Sequence, residues 1–298
     1  MTSVQDALTE WAFTAGWSIV RRLPEPAAAR LFELAADRTW RKQGRSVLQL
    51  QRNLARVCPD LGPEAIRELS REGMRRYMRY YLEAFRLPAW SPDRISRDVR
   101  MRDVEVLDAP VRDGRGVVTV GAHMGNWDLA GAWGAVRYGA VTTVAERLKP
   151  EGVYQRFLAF RESLGIQVIP TGDAGIVSRL VRVAKDGGVV AIVGDRDLSG
   201  NGVDVEFFGE TAPFPVGPAV ISLLSGAPLV VAATWHEDDH LAGQCIPIEP
   251  ADPALPRDEQ IAILTQRIAD ALSGLIAEHP ADWHMLQRLW PSDTRADA

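Results

Sequence analysis

The stretch from Asp113 to Trp133 reads DGRGVVTVGAHMGNWDLAGAW, and its reading decides the fold. Val117 to Val120 form a short β-branched run, the mark of a buried strand. Gly121, Gly125 and Asn126 break that run, and helix-compatible apolar residues follow from Trp127 to Trp133. His123 therefore sits in a strand-to-helix turn, and Asp128 in the first turn of the helix.

The spacing of these two residues carries chemistry. On one continuous helix, positions five apart point about 140° away from each other. With His123 ahead of the helix and Asp128 inside it, a contact becomes feasible. An aspartate bonded to one imidazole nitrogen fixes the tautomer and leaves the other nitrogen as a base. A nearby helix N-terminus also favours phosphate or a developing oxyanion. The ordinary alternative is a turn-capping histidine beside an acid that complements the helix dipole. Position favours the functional reading, because open α/β sheets bind their ligands at the carboxyl ends of their strands.

The 298-residue chain fits one large α/β domain or two small ones. Apolar content of 46% and charged content of 24% are ordinary for a globular protein. The net charge of −5 argues against general nucleic-acid binding. Yet residues 1–90 hold 14 Arg and 1 Lys against 10 acids, a local excess of +5 that suits an anionic membrane surface. Cys58 and Cys245 are far apart, so a disulfide framework is not expected and a reducing cytoplasm is the default. Met1 to Glu10 is polar and reads as no signal peptide. Thr211 to Trp235 is 25 residues without a charge, long enough to span a bilayer. Pro213, Pro215, Pro218, Pro228, Gly217 and Gly226 interrupt it, so we read a short helix, a turn and a buried strand instead.

Upstream, residues 6–22 form an amphipathic pattern with Trp11, Trp17, Arg21 and Arg22, fit either for a membrane interface or for packing on the domain. Helices are expected over 26–40, 44–57 and 63–85, the last with a Met and aromatic stripe and a basic flank of Arg71, Arg75, Arg76 and Arg79. Pro88 to Pro92 marks a change of texture. We divide the chain into an N-terminal helical, membrane-associating region (1–95) and an α/β core (96–298), forming one continuous globular unit. In that core, strands are expected near 99–106, 116–122, 141–145, 166–169, 188–194, 229–235 and 243–248. Helices fall near 127–137, 150–164, 173–186, 217–225 and 257–278. The alternation predicts an α/β fold with a largely parallel central sheet and helices on both faces.

That fold gathers charged residues at strand ends. Glu146, Arg147 and Lys149 follow the third of these strands, Arg161 lies on the next helix, and Asp195, Arg196 and Asp197 follow the strand ending near Val193. Arg179, Arg182 and Lys185 share a helix face that reads as solvated. Two metal-like strings are set aside. His236-Glu237-Asp238-Asp239-His240 matches the zinc-protease string, which needs a helix, yet it lies between two strand-like runs. Asp195 to Glu206 spells a calcium loop without flanking helices. No metal is therefore expected. No G-x-S-x-G elbow, P-loop or dinucleotide fingerprint appears.

Without an evident serine or cysteine nucleophile, direct transfer is the simplest chemistry. His123 takes the proton from a hydroxyl that attacks a thioester carbonyl. Asp128 or a strand-end acid orients His123. Backbone amides of the Gly125–Asn126 turn, or Arg161, stabilise the oxyanion. An apolar groove for a fatty chain is expected around Leu129 to Trp133 and Phe157 to Phe160.

Three segments carry a resemblance: GAHMGNWDLAGAW, GDRDLSGNGVDVEFFGE and FPVGPAVISLLSGAPLV, in this order. They resemble the His-x4-Asp acyltransferases, in particular the branch of lipid A lauroyl/myristoyl acyltransferases and, within it, the phosphatidylinositol mannoside acyltransferases. The likeness covers roughly residues 10 to 290. It implies acyl-CoA as co-substrate, palmitoyl above other chains, a mannose hydroxyl of a phosphatidylinositol mannoside as acceptor, and no cofactor. It also implies a peripheral position on the cytoplasmic face of the cell membrane. By the resemblance His123 is the base, Asp128 its motif partner, and Arg161 with an acid of the GDRD segment completes the site. Asp195 and Asp197 are both available for that last role, with Asp197 slightly favoured. Glu146, Arg147, Arg196 and Asp195 are the expected substrate-binding set. Two other classes stay open, a non-catalytic lipid-binding protein and an acyl-CoA thioesterase.

Overall fold

The computed structural model describes residues 20–147, 150–197 and 200–295. The amphipathic stretch expected at 6–22 lies almost wholly outside them, as does Lys149. Proline and glycine punctuation sets the first helices: α1 (Glu25–Arg41), α2 (Arg45–Val57) and α3 (Pro63–Arg86), the first with proline in its opening turn and the third opening on Pro63. A 3-10 turn (Leu87–Ala89) leads to α4 (Pro92–Asp98), where the Ser91 hydroxyl accepts the Arg94 amide as N-cap. Asp37 of α1 clasps Arg71 and Arg75 of α3 at 2.9 Å each, and these guanidiniums hold its carboxyl far below the usual carboxylate value.

Beyond α4 the chain alternates. The elements are β1 (Val99–Arg102), α5 (Glu105–Arg112), β2 (Val117–Gly121), α6 (Trp127–Tyr138), β3 (Val141–Ala145), α7 (Glu151–Ser163), β4 (Ile166–Pro170), α8 (Ile176–Lys185) and β5 (Val189–Val193). A hairpin, β6 (Val203–Phe207) and β7 (Glu210–Phe214), precedes α9 (Gly217–Ser225), β8 (Leu229–Glu237), β9 (His240–Pro247) and α10 (Arg257–Glu278). The 3-10 turn Pro280–Asp282 and α11 (Ser292–Arg295) follow.

Seven strands form one sheet in the order β1-β9-β8-β2-β5-β3-β4. Every pairing is parallel except β8 with β9. The protein is therefore α/β, with a mostly parallel sheet, flanking helices and a helical N-terminal part. Alternation along the strands sends Val118, Val120, Val190 and Val231 into a large cluster with α8, α9 and α10. Val117, Val189 and Val230 meet α5 and α6 on the opposite face.

Two sequence expectations change. Residues 99–106 are not one strand: β1 stops at Arg102, Asp103 adopts a left-handed φ of 55°, and α5 begins at Glu105. Aspartate tolerates that conformation because its short side chain bonds locally. Second, the calcium-like string from Asp195 ends in β6, an unexpected hairpin strand that carries Glu206. The uncharged stretch from Thr211 to Trp235 opens in β7 and then folds as read from its prolines and glycines: the short helix α9, a turn opened by Gly226 at φ 76°, and most of β8. Among the described residues, no helix is long and apolar enough to cross a membrane. His236 to His240 is the tip of the β8–β9 hairpin, where Glu237 pairs with His240, so the helical geometry a zinc-protease site needs is not present.

Candidate active site

The site grows from the carboxyl end of β2, between β8 and β5. The turn after β2 is so tight that Gly125 adopts φ 60°, and a Cβ there would sit 2.3 Å from the Thr234 carbonyl oxygen. Only glycine fits. Asn126 then caps α6, its side-chain oxygen accepting the Leu129 amide at 2.9 Å.

His123 is held by Asp195, the residue two beyond the end of β5. Nδ1 lies 2.6 Å from Asp195 Oδ1, and the His123 amide donates to Oδ2 at 2.9 Å. The Trp283 indole also donates to Oδ2 at 2.9 Å. Burial pushes the Asp195 carboxyl up, but the imidazole, the indole and the amide outweigh it and hold it below its ordinary value. A carboxylate accepts only, so the His123 proton sits on Nδ1 and Nε2 is the basic nitrogen. The imidazole side chain is one third exposed, at 33%, while Asp195 is fully buried.

This geometry corrects two expectations. Asp128 does not touch His123. It is 2% exposed and accepts the Tyr80 hydroxyl at 2.8 Å and Arg161 Nε at 2.8 Å. The cause lies in the turn, which sends the imidazole toward β5 and the carboxylate toward α3 and α7. The Asp128 charge raises the Arg161 guanidinium value further, while burial first and then Asp128 raise the Tyr80 phenol well above its usual range. Nor does Asp197 assist His123, since its carboxylate accepts the Gly202 amide at 2.9 Å. Both aspartates lie beyond the end of β5, and Asp195 is the one that bonds the imidazole.

An apolar cavity of about 480 Å³ opens beside His123. Its lining includes His123, Glu146, Arg161 and Arg196 at the carboxyl edge of the sheet. It also includes Val141, Ile166 and Val189, the first residues of β3, β4 and β5. The cavity thus runs the length of these strands, roughly 13–16 Å at about 3.3 Å per residue. Thr119, Gly121, Ala191 and Ala232 form its sheet wall, and Gly131 and Gly134 of α6 its roof. A Cβ at these two glycines would come within 2.8 Å of Ile166 and 2.9 Å of Val141. The two glycines thus let α6 pack closely on β3 and β4, while small residues on the sheet wall leave room for the cavity.

Of the expected groove, Ala130, Gly131, Trp133, Phe157 and Leu158 line the cavity, whereas Leu129 and Phe160 pack in the cluster behind it. Arg147 is exposed, pairs with Glu151 at 2.9 Å and is not part of the lining. The Gly125 amide donates to the Asp282 carbonyl, so it is not an oxyanion donor. Arg161 keeps its place at the site, its Nε on Asp128 and its side chain in the lining.

Sequence reasoning missed Tyr80, Glu83, Trp283 and His284. His284 donates its amide to the His123 carbonyl at 2.7 Å and its Nε2–H to the Gly125 carbonyl at 3.0 Å. Its Nδ1 is buried without a hydrogen-bond partner, and burial lowers the imidazole to about 4. Trp127 stacks on Tyr80 at 4.0 Å and meets the His123 ring edge-on at 5.4 Å. The aromatic-rich run after α10, ADWHMLQRLW, was the available signal for the C-terminal pair.

A buried carboxylate–imidazole pair with one open nitrogen, set beside an apolar cavity on a mostly parallel sheet, has the chemical parts of a general base next to an apolar substrate site. Comparison with known proteins gives the class its family. Residues 2–292 match the family of bacterial lipid A biosynthesis acyltransferases, and the chain belongs to that family and is an acyltransferase. It is 41% identical over 297 residues to the phosphatidylinositol mannoside acyltransferase of Mycobacterium tuberculosis strain CDC 1551 / Oshkosh, covering 98% of this chain and 92% of the relative. The phosphatidylinositol mannoside acyltransferase of Mycolicibacterium smegmatis is 39% identical over 288 residues, covering 96% of this chain and 92% of the relative.

Proposed function

We propose that this acyltransferase moves a fatty acyl chain, palmitoyl above others, from acyl-CoA to a mannose hydroxyl of a phosphatidylinositol mannoside. The observation that carries the reading is the His123–Asp195 pair beside the apolar cavity. The names of the relatives support the acceptor.

In this mechanism His123 Nε2 takes the acceptor proton as the hydroxyl oxygen attacks the thioester carbonyl. Asp195 stabilises the resulting imidazolium. A positioned base of this kind contributes about 10²- to 10⁴-fold. The tetrahedral oxyanion forms near Arg161, the one guanidinium fixed on a buried carboxylate at the cavity wall. Collapse expels the CoA thiolate, which recovers the proton from His123. Arg196 and Glu146 lie at the same edge for contacts with the polar parts of the substrates. No metal or cofactor enters the scheme.

The acceptor lives in a membrane, and the N-terminal helices supply a surface for one. Leu31 and Leu34 of α1 are 51% and 66% exposed, with Arg30, Arg38 and Arg41 exposed on the same helix. Apolar residues flanked by arginines suit an anionic interface. We place this contact at the cytoplasmic face of the cell membrane, as a peripheral association.

Labelled palmitoyl-CoA incubated with the protein and phosphatidylinositol mannoside in vesicles tests the reading. Mass spectrometry is expected to find the chain esterified to mannose. Free fatty acid alone points to a thioesterase, and no turnover points to a lipid carrier; either result removes the proposal.

A further inference from the structure

His236, in the buried part of the β8–β9 hairpin, plays no part in the transfer chemistry. Its buried ring nonetheless sits between two carboxylates. Nε2 lies 3.0 Å from Glu83 Oε2 of α3, and Nδ1 lies 2.9 Å from Asp282 Oδ1. The side chain is 1% exposed, and the two carboxylates 13% and 6%. Carboxylates accept and do not donate, so both ring nitrogens carry protons and the ring is an imidazolium. Arg79 pairs with Glu83 at 2.7 Å, Arg76 donates to the His236 carbonyl at 3.0 Å, and the neutral His284 lies close by.

Each acidic residue of this triad reaches the catalytic turn by a second bond. Glu83 Oε2 accepts the Asn126 side-chain amide at 2.8 Å, and Asn126 caps α6. The Asp282 carbonyl accepts the Gly125 amide at 3.0 Å. The next two residues, Trp283 and His284, hold Asp195 and the His123 carbonyl. One ring thus ties α3 and the C-terminal segment to both sides of the turn that carries His123.

We propose that His236 is a positioning residue for the acyl transfer, a charged brace that keeps the His123 turn and the Trp283 segment in register. The inference rests on His123 acting as the base. Removing the ring leaves two carboxylates facing each other in the interior, and the turn between them loses its fixed place. The brace also titrates. Burial lowers the His236 imidazole, but Glu83 and Asp282 outweigh that and hold it above its ordinary 6.5. Bracing is therefore complete below pH 6.5 and is lost as pH rises through the folded value.

The test is the pH dependence of kcat and KM for wild type, His236→Gln, Glu83→Gln and His123→Ala. Wild type is expected to show an alkaline limb. His236→Gln, folded by circular dichroism, is expected to lose that limb and at least about tenfold in kcat, as a small misplacement of reacting groups does. Its KM for acyl-CoA is expected to stay within about twofold, because the contact acts on the turn and not on the donor. Glu83→Gln removes one of the two stabilising charges and is expected to move the limb to lower pH. It also decides the matter if His236→Gln does not fold. A folded His236→Gln with unaltered kcat and pH profile, or an unmoved limb in Glu83→Gln, overturns the brace. An active His123→Ala overturns the base assignment itself, which separates the two failures.

Discussion

The two faces of the central sheet are built from the same strands and do opposite things. On one face Val118, Val120, Val190 and Val231 pack against α8, α9 and α10 with almost no exposure. On the other, Thr119, Gly121, Ala191 and Ala232 line the cavity, and Gly131 and Gly134 of α6 leave room for Ile166 and Val141 at its margin. Interiors close-pack by default, so an apolar cavity of this size persists only where small residues line it. One face supplies stability and the other supplies room for a lipid chain. The alternation of large and small side chains along β2, β5 and β8 divides the labour.

The largest effect that bears on this division is at the edge of the open face. His123→Ala is expected to lower transfer by about 10²- to 10⁴-fold while leaving the melting temperature unchanged. Radiolabelled product formation and a thermal melt check it together, and a large fall in melting temperature would mean that the open face also carries the fold. The converse substitution is Leu272→Ala, in the packed cluster with 0% exposure. It is expected to cost about 2–5 kcal/mol of stability by chemical denaturation and to leave the chain-length profile of the folded enzyme unaltered. Next comes Ala191→Leu, which fills the cavity wall. The preferred donor is expected to become shorter, at about 0.8 kcal/mol per methylene that no longer finds cover. An unchanged profile across C10 to C18 donors would mean that the chain binds elsewhere.

The smallest effect concerns acid. Burial alone would raise Glu83, but His236, Arg79 and Asn126 hold it at about 2, against an ordinary 4.5. Its contribution to stability is present above pH 4.5 and is lost as pH falls toward 2. Denaturation midpoints measured down that range are expected to fall less steeply in Glu83→Gln than in wild type.

The core strands were legible because parallel strands buried on both faces read as short apolar runs between glycines. The hairpin β6–β7 was not, since Val203-Asp204-Val205-Glu206 alternates toward solvent and shares letters with a calcium loop. Residues 99–106 misled for a related reason: Val104, Val106 and Leu107 extend an apolar pattern that Asp103 in fact interrupts. At the site, His123 could be named from its turn. Its partner could not, because Asp195 and Asp197 both lie in the loop after β5 and no local pattern says which carboxylate turns to the imidazole. Tyr80, Glu83, His236 and Trp283 reach the turn across large sequence separations, and no local spacing encodes such contacts.

The bond from the Trp283 indole to Asp195 spans 88 residues. A ribosome therefore completes the catalytic histidine and its acid long before it adds the residue that grips them. A chain cut short of Trp283 carries both groups without the indole that donates to the acid. The centre is thus assembled only after the chain has grown 88 residues beyond its acid.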